Sequence, residues 1–146
     1  HTGPRRGRIF SISSDAAQIA AMELGLQEQV LKIGNLKTER VVIDVRDCVN
    51  AYYLLMLSEE SNGGVFNVCG DDVHQMQKYT DLLIEHSKFE YNEVEQKIYE
   101  PYYRPIDIQV QIGDSSNLKK ITKWEPKIDL STTMKDLLNY WRKKFT

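Results

Sequence analysis

Helical and strand patterns alternate along the 146 residues of this chain, and this alternation constrains its fold more than any other feature. The predicted helices are Ala16–Leu24 with Ser14-Asp15 as N-cap, one opening at Arg46-Asp47, His74–His86, Ser115–Ile121, and Ser131–Lys144 with Ser131 as cap. The predicted strands and extended segments are Val30–Ile33, Arg40–Val45, Val65–Cys69 and Tyr91–Tyr99. This order predicts a mixed α/β fold, and 41% hydrophobic content can bury the core of one domain.

Charge and hydropathy exclude two classes of partner. The formal net charge is -2, and the 19 Lys and Arg residues are dispersed apart from a short cluster at the C-terminus. Without a basic stripe we expect no nucleic-acid partner. The longest apolar stretches are far shorter than a membrane span, so we expect no membrane segment and a cytoplasmic protein.

The sequence shows no self-contained catalytic or metal site. Cys48 and Cys69 have no CxxC spacing, which predicts free, buried thiols. The three histidines, His1, His74 and His86, lie far apart without metal-ligand spacing, so we expect no metal. A Gly-rich strand-to-helix fingerprint, a phosphate-binding P-loop and a nucleophile elbow are also absent from the sequence.

The first seven residues, His1-Thr2-Gly3-Pro4-Arg5-Arg6-Gly7, carry the densest functional signal. An imidazole, two guanidinium groups and free backbone amides can bind a phosphate or a carboxamide, which suits a nucleotide or cofactor pocket. The alternative interpretation is a solvated, frayed terminus.

Six motifs in register carry a resemblance to a known family. They are the first seven residues, Ile33-Gly34-Asn35-Leu36 with Arg40, Asp44-Val45-Arg46-Asp47, Phe66-Asn67-Val68, Tyr103-Arg104-Pro105-Ile106-Asp107 with Gly113-Asp114, and Trp124-Glu125-Pro126. In order and spacing the chain resembles the C-terminal half of extended short-chain dehydrogenases that act on nucleotide sugars. Its branch is that of GDP-mannose 4,6-dehydratase and GDP-4-keto-6-deoxymannose reductase. The resemblance implies that residues 1–146 form a small mixed α/β substrate-binding lobe, with the N-terminal Rossmann half absent.

The resemblance also implies roles for individual residues. His1 and Arg6 match positions that contact the nicotinamide cofactor, NADP or NAD, which the missing half would mainly bind. Ser11 and Ser14 match positions that line the sugar-nucleotide pocket, although Ser14 also fits a helix N-cap. Asn35 belongs to the same substrate-binding set, and its position equally suits a residue that shapes the turn after a strand.

Three further matches concern the nucleotide itself. Arg40 and Arg104 match the pair that clamps the diphosphate, for which two forked, permanently charged donors are suited. Structural ion pairing is the competing interpretation for both. Asp107 matches an acidic position that can accept hydrogen bonds from guanine, and without the motif it would be a turn carboxylate.

The motifs divide between two reactions. Arg5-Arg6-Gly7 and Tyr102-Tyr103-Arg104-Pro105 are similar to the dehydratase. More similar to the reductase are Thr2-Gly3, Asp44-Val45-Arg46-Asp47 and Tyr140-Trp141-Arg142. The catalytic Tyr-x-x-x-Lys pair would lie in the missing half, so we expect no catalytic residue here and no activity from this part alone. We expect a GDP-sugar substrate, a Rossmann-half partner and a homo-oligomer. A non-catalytic nucleotide-sugar binding module and a purely structural α/β domain remain alternatives.

Overall fold

Five helices and five short strands alternate along the residues that the structure describes, which confirms the mixed α/β prediction. The structure is a computed structural model that describes residues 1–104 and 107–146. The elements are α1 (Ser11–Glu23), β1 (Val30–Ile33), β2 (Glu39–Val41), α2 (Val45–Leu57), β3 (Val73–Gln75), α3 (Met76–Glu85), β4 (Glu95–Ile98), β5 (Val110–Gln111), α4 (Ser116–Thr122) and α5 (Leu130–Phe145). Pro105 and Ile106, the middle of the predicted diphosphate motif, lie outside the described residues.

The strands form two small sheets. In the first, β1 and β4 pair in parallel, from Val30 opposite Glu95 to Ile33 opposite Ile98. In the second, β2 is central, antiparallel to β3 and parallel to β5. Arg40, one of the predicted ligands, therefore lies in the middle strand of this sheet, where pairing on both sides fixes its backbone.

Helix α1 is the centre of the main core. Every residue from Ile12 to Met22 is buried, because α3, α5 and β1 all pack around this helix. Its small side chains, among them Ala16 and Ala20, are fully buried and permit close approach of the neighbouring elements. Polar positions inside α1 are therefore surrounded by protein instead of water.

A second core cluster supports the N-terminal end of α2. Cys48 and Ala51 of α2 pack there with Ile43, Leu118 and Trp124. Cys48 is a buried free thiol as predicted, whereas Cys69 is a free thiol that is only half-buried. Among the described residues, no helix is both long and apolar enough to cross a membrane.

Both serine caps were predicted wrongly. Helix α1 begins at Ser11 after Phe10, so Ser14 and Asp15 lie inside the helix and are buried. The N-cap of α5 is Asp129, two residues before the predicted cap Ser131, and its carboxylate accepts from the backbone N–H of Thr132. Local cap chemistry fits several neighbouring positions equally, and tertiary burial decides between them.

The predicted strand Val65–Cys69 is also wrong. This segment has no regular secondary structure and, among the described residues, it belongs to neither sheet. Phe66 and Val68 pack against the second core cluster, while Val65 is 92% exposed. The side chains of Phe66 and Val68 are thus partly buried although the segment pairs with no strand of the described residues. The strand after it is β3, which begins at Val73 and includes His74, predicted as the start of a helix.

Candidate functional site

The N-terminal segment is fixed to the start of α2. The backbone N–H of Thr2 donates to the carbonyl oxygen of Ile43 at 3.0 Å, and the N–H of Val45 donates to the carbonyl oxygen of Thr2 at 2.7 Å. Thr2 pairs with Asp44 in a parallel bridge, and its side chain is buried. These bonds exclude the frayed-terminus interpretation, because a frayed segment would not be held in a backbone ladder.

A cavity of about 460 Å³ lies against this segment, lined by the first six residues together with Val45 and Arg46. His1 and Arg6, the two predicted cofactor contacts, are both in its wall. The volume falls within the range of small-molecule sites, and guanidinium groups are suited to bind phosphate. The cavity therefore has the size and the donors for part of a nucleotide.

Arg5 is a residue of this cavity that the sequence interpretation did not assign. Its φ angle is 72°, in the left-handed region that costs a non-Gly residue on the order of 1–2 kcal/mol. Strained backbone of this kind clusters at binding sites, where the surrounding structure holds it. The run of two arginines was visible in the sequence, but nothing there indicated the backbone angle.

Arg6 is held in place by contacts on both sides. Its guanidinium carbon lies 3.4 Å from the centre of the Phe10 ring, a cation–π arrangement. Its carbonyl oxygen accepts a 2.7 Å hydrogen bond from the hydroxyl of Ser13, which in turn accepts from the indole N–H of Trp141 at 3.0 Å. Trp141, near the end of α5, thereby helps to fix the backbone of Arg6 in the wall of the cavity.

Arg46 joins α2 to α5 at the edge of the cavity. Its Nε and Nη2 atoms donate to the two carboxylate oxygens of Asp44 at 2.8 Å each, and Nη2 also lies 2.8 Å from Asp136. Burial alone would raise the pKa of Asp44, but the hydrogen bonds from Arg46 outweigh it and lower that pKa. The hydrogen bond with Asp44 likewise raises the pKa of Arg46. This arginine is a structural ion-pair partner.

Arg40 and Asp107, predicted for the diphosphate and for guanine, contact each other. Nη2 of Arg40 lies 3.0 Å from Oδ1 of Asp107, and the two side chains are only 20% and 18% exposed. The hydroxyl of Tyr79 donates to the carbonyl oxygen of Arg40 at 2.7 Å. Burial raises the pKa of Tyr79 to about 12, so this hydroxyl keeps its proton.

The other predicted ligands have different surroundings. Ser11 and Arg104 are exposed, and the side chain of Asn35 accepts from the backbone N–H of Lys37 at 3.0 Å, which shapes the turn after β1. Ser14 is buried in α1, where its hydroxyl lies 3.4 Å from the side-chain nitrogen of Gln18. A hydroxyl inside the core cannot reach a ligand in a surface cavity.

Asp47 joins two motifs that lie far apart in the sequence, Asp44-Val45-Arg46-Asp47 and Trp124-Glu125-Pro126. Its carboxylate accepts from the backbone N–H groups of Lys127 and Ile128 at 3.1 and 2.9 Å, and its carbonyl oxygen accepts from the indole N–H of Trp124 at 3.0 Å. Both motifs are therefore structural here. Among the described residues no group of three His, Cys, Asp or Glu side chains is placed to hold a metal ion.

Solved structures of short-chain dehydrogenases share this fold. The NADPH complex of RMD from Pseudomonas aeruginosa superposes with a TM-score of 0.88 and 29% identity, over 99% of this chain and 46% of that one. UDP-glucuronic acid 4-epimerase from Bacillus cereus, bound to NAD, has a TM-score of 0.77 at 16% identity, over 99% and 43%. The fold is that of the C-terminal portion of nucleotide-sugar epimerases, dehydratases and reductases.

The sequence comparison is more specific. The family model of GDP-mannose 4,6 dehydratase matches residues 1–137, so the chain belongs to that family. It is 30% identical over 144 residues to GDP-6-deoxy-D-mannose reductase of Pseudomonas aeruginosa, covering 99% of this chain and 46% of the relative. It is 26% identical over 154 residues to GDP-mannose 4,6 dehydratase of Dictyostelium discoideum, covering 94% and 42%. The chain spans less than half the length of these relatives.

Proposed function

We propose that this chain is the substrate-binding part of a GDP-mannose 4,6-dehydratase, which converts GDP-mannose to GDP-4-keto-6-deoxymannose and water. The observation that carries the proposal is the family match over residues 1–137. The cavity beside the N-terminal segment supports it, because its arginines are suited to a nucleotide. In this proposal the chain supplies binding and orientation, and the catalytic groups lie in an N-terminal Rossmann half.

A GDP-4-keto-6-deoxymannose reductase is the second candidate. The 30% identity to the Pseudomonas aeruginosa reductase and the TM-score of 0.88 to the NADPH complex favour it. In both candidates this lobe binds a GDP-sugar. They differ in whether the reaction consumes the cofactor. The full-length protein distinguishes them: a dehydratase consumes GDP-mannose without net consumption of NADPH, whereas a reductase oxidises NADPH only when the keto-sugar is supplied.

The proposed cofactor is NADP, with NAD as the alternative. A bound nicotinamide cofactor supplies hydride transfer, and the protein supplies its position. The residues fit the group, because His1 and Arg6 both line the cavity and carry an imidazole and a guanidinium. In the proposal His1 holds the ribose or carboxamide end of the cofactor, and Arg6 holds a phosphate with Arg5 beside it.

The proposed substrate contacts are Arg40 and Arg104 for the diphosphate, together with Ser11 and Asn35; Asp107, which the resemblance assigns to guanine, forms an ion pair with Arg40. Arg40 supports this assignment because β2 fixes its backbone and Tyr79 holds its carbonyl oxygen. We leave Ser14 outside the set because α1 buries its hydroxyl.

The Rossmann half is proposed to cover the apolar stripe of α2, which consists of Val49, Tyr52, Tyr53 and Met56. These side chains follow one another at helical spacing and are all exposed, with Met56 at 73%. Nδ1 of His1 lies 3.7 Å from Sγ of Cys48 on the same helix, so polypeptide joined to His1 would emerge beside the stripe. The homo-oligomer proposed for the full-length protein would use other surfaces.

Calorimetric titration of this chain with GDP-mannose tests the proposal, with GDP and UDP-glucose as controls. Saturable binding of the guanine ligands that is lost in the Arg40→Ala, Arg104→Ala variant is the expected result. Heat of equal size from the variant would show that these arginines do not hold the nucleotide. Light scattering tests the stripe separately: the chain alone should self-associate, and Met56→Lys should reduce this association while Glu59→Lys, just beyond the helix, should not.

A further inference from the structure

The ion pair between Arg40 and Asp107 joins two residues that the substrate assignment treats as separate ligands. Their side chains meet at 3.0 Å across 67 positions of sequence. Asp107 precedes β5, and the backbone carbonyl of Gln109 accepts a 2.7 Å hydrogen bond from the N–H of Glu39, next to Arg40. The backbone on both sides of the ion pair is therefore fixed by the same sheet.

Two hydrogen bonds to described residues orient the Arg40 guanidinium. Nη1 donates to the carbonyl oxygen of Glu39 at 2.7 Å, and Nη2 donates to Asp107. A guanidinium carries five N–H donors in one plane, so these two contacts set its orientation and leave other donors for a ligand. Arginine loses side-chain freedom when it binds an anion, and a guanidinium oriented beforehand loses less.

We propose that Asp107 is a positioning residue, which orients Arg40 for the diphosphate of the nucleotide instead of recognising the guanine base. The proposal rests on the proposed function, because it presupposes that Arg40 contacts the diphosphate. In this proposal Asp107 does not determine selectivity for guanine, because its Oδ1 atom already accepts from the charged guanidinium of Arg40 at 3.0 Å. We therefore expect Asp107 to contribute to the affinity for any nucleoside diphosphate and for pyrophosphate itself.

Three roles of Asp107 predict different patterns of ligand affinity for the Asp107→Ala variant. A carboxylate that only neighbours the site repels a diphosphate, so its removal would tighten binding of every ligand. A guanine-recognising carboxylate would weaken GDP on removal and leave UDP and pyrophosphate unchanged. A positioning carboxylate would weaken GDP, UDP and pyrophosphate alike, by about tenfold if one charge-assisted hydrogen bond is lost.

The experiment is calorimetric titration of the 146-residue chain with GDP, UDP and pyrophosphate, using Asp107→Ala, Arg40→Ala and the double variant. We expect equal weakening of all three ligands by Asp107→Ala, and less than about a twofold further effect of Asp107→Ala once Arg40 is alanine. Asp107→Asn retains an acceptor and should restore most of the affinity. Asp71→Ala is the matched control, since it removes a carboxylate from an exposed pair with Lys119.

Three results would overturn the inference while the wild type still binds. The first is a loss confined to GDP, and the second is an equal loss from Asp107→Ala with or without Arg40. The third is tighter binding by Asp107→Ala, which would identify the carboxylate as a repulsive neighbour. A folded wild type that binds none of the three ligands would remove the proposed function and this inference together. Thermal unfolding of each variant separates a binding defect from a folding defect.

Discussion

Asp15 makes the stability of this protein depend on pH in an unusual direction. Its carboxyl group lies inside α1, 4% exposed, and Oδ2 accepts a hydrogen bond from the hydroxyl of Thr80 on α3 at 3.0 Å. Burial raises the pKa of Asp15 from 3.8 to about 7, and the Thr80 hydrogen bond opposes this only in part. The folded protein therefore keeps a proton that the unfolded chain has already released.

The sign follows from proton linkage. Because the folded pKa is raised, the contribution of Asp15 to stability is fully present below pH 3.8 and is lost as the pH rises to about 7. A shift of about three pKa units corresponds to about 4 kcal/mol in total, of which roughly 2.5 kcal/mol is lost between about pH 5 and about pH 8. Most acidic residues act in the opposite direction, since folding usually lowers their pKa.

Asp15→Asn tests this reasoning, because the carboxamide stays neutral and its oxygen can still accept from Thr80. We expect the free energy of unfolding of the variant, relative to wild type, to rise by about 2 kcal/mol between about pH 5 and about pH 8. Urea unfolding at several pH values measures this difference. Asp129→Asn is the matched control: Asp129 has a lowered pKa, caused mainly by the backbone N–H of Thr132, so its contribution is lost only as the pH falls into the acidic range. Parallel pH profiles for wild type and Asp15→Asn would refute the linkage.

Three further substitutions test the contacts that hold the elements together, each measured by urea unfolding. Arg142→Ala should cost about 3 kcal/mol, because it leaves the carboxylate of Glu23, whose side chain is 1% exposed, without its cation; a loss below about 1 kcal/mol would contradict this. Asp47→Ala should cost about 2 kcal/mol through two orphaned backbone N–H groups, and Asp47→Asn should recover part of it. Gly34→Ala would place a Cβ atom 2.7 Å from the carbonyl oxygen of Tyr102 and should cost about 2 kcal/mol; an unchanged midpoint would show that this segment moves freely.

The sequence predicts a helix or a strand correctly where its apolar pattern agrees with the burial seen in the structure. Strand β1 is found at Val30–Ile33 as predicted, because its apolar residues face the core and Gly34 follows at once. The start of α5 was missed because Asp129 and Ser131 are both suitable capping residues, and the start of α1 was missed because its N-cap, Phe10, makes no side-chain hydrogen bond that a sequence pattern could reveal. The strand predicted at Val65–Cys69 failed because an apolar run indicates burial of side chains, not a partner strand.

The candidate site was predicted in part. The N-terminal segment was visible because an imidazole and two guanidinium groups in a loop with Gly and Pro can bind a phosphate, and His1 and Arg6 both line the cavity. The left-handed backbone of Arg5 and the contact between Arg40 and Asp107 could not be predicted. Both depend on how distant segments meet, which residue types alone do not encode.

The exposure of each carboxylate partner distinguishes structural arginines from those able to bind a ligand. Glu23, the partner of Arg142, is 1% exposed, so moving that arginine to a ligand would leave a buried charge uncompensated. Arg46 is restricted in the same way by a carboxylate partner that is 0% exposed. Asp107 is 18% exposed and contacts Nη2 of Arg40, so Arg40 can turn other donors to an anion without leaving a fully buried carboxylate unpaired. Of these three ion-paired arginines, Arg40 is therefore the one that can add contacts with a diphosphate at low cost.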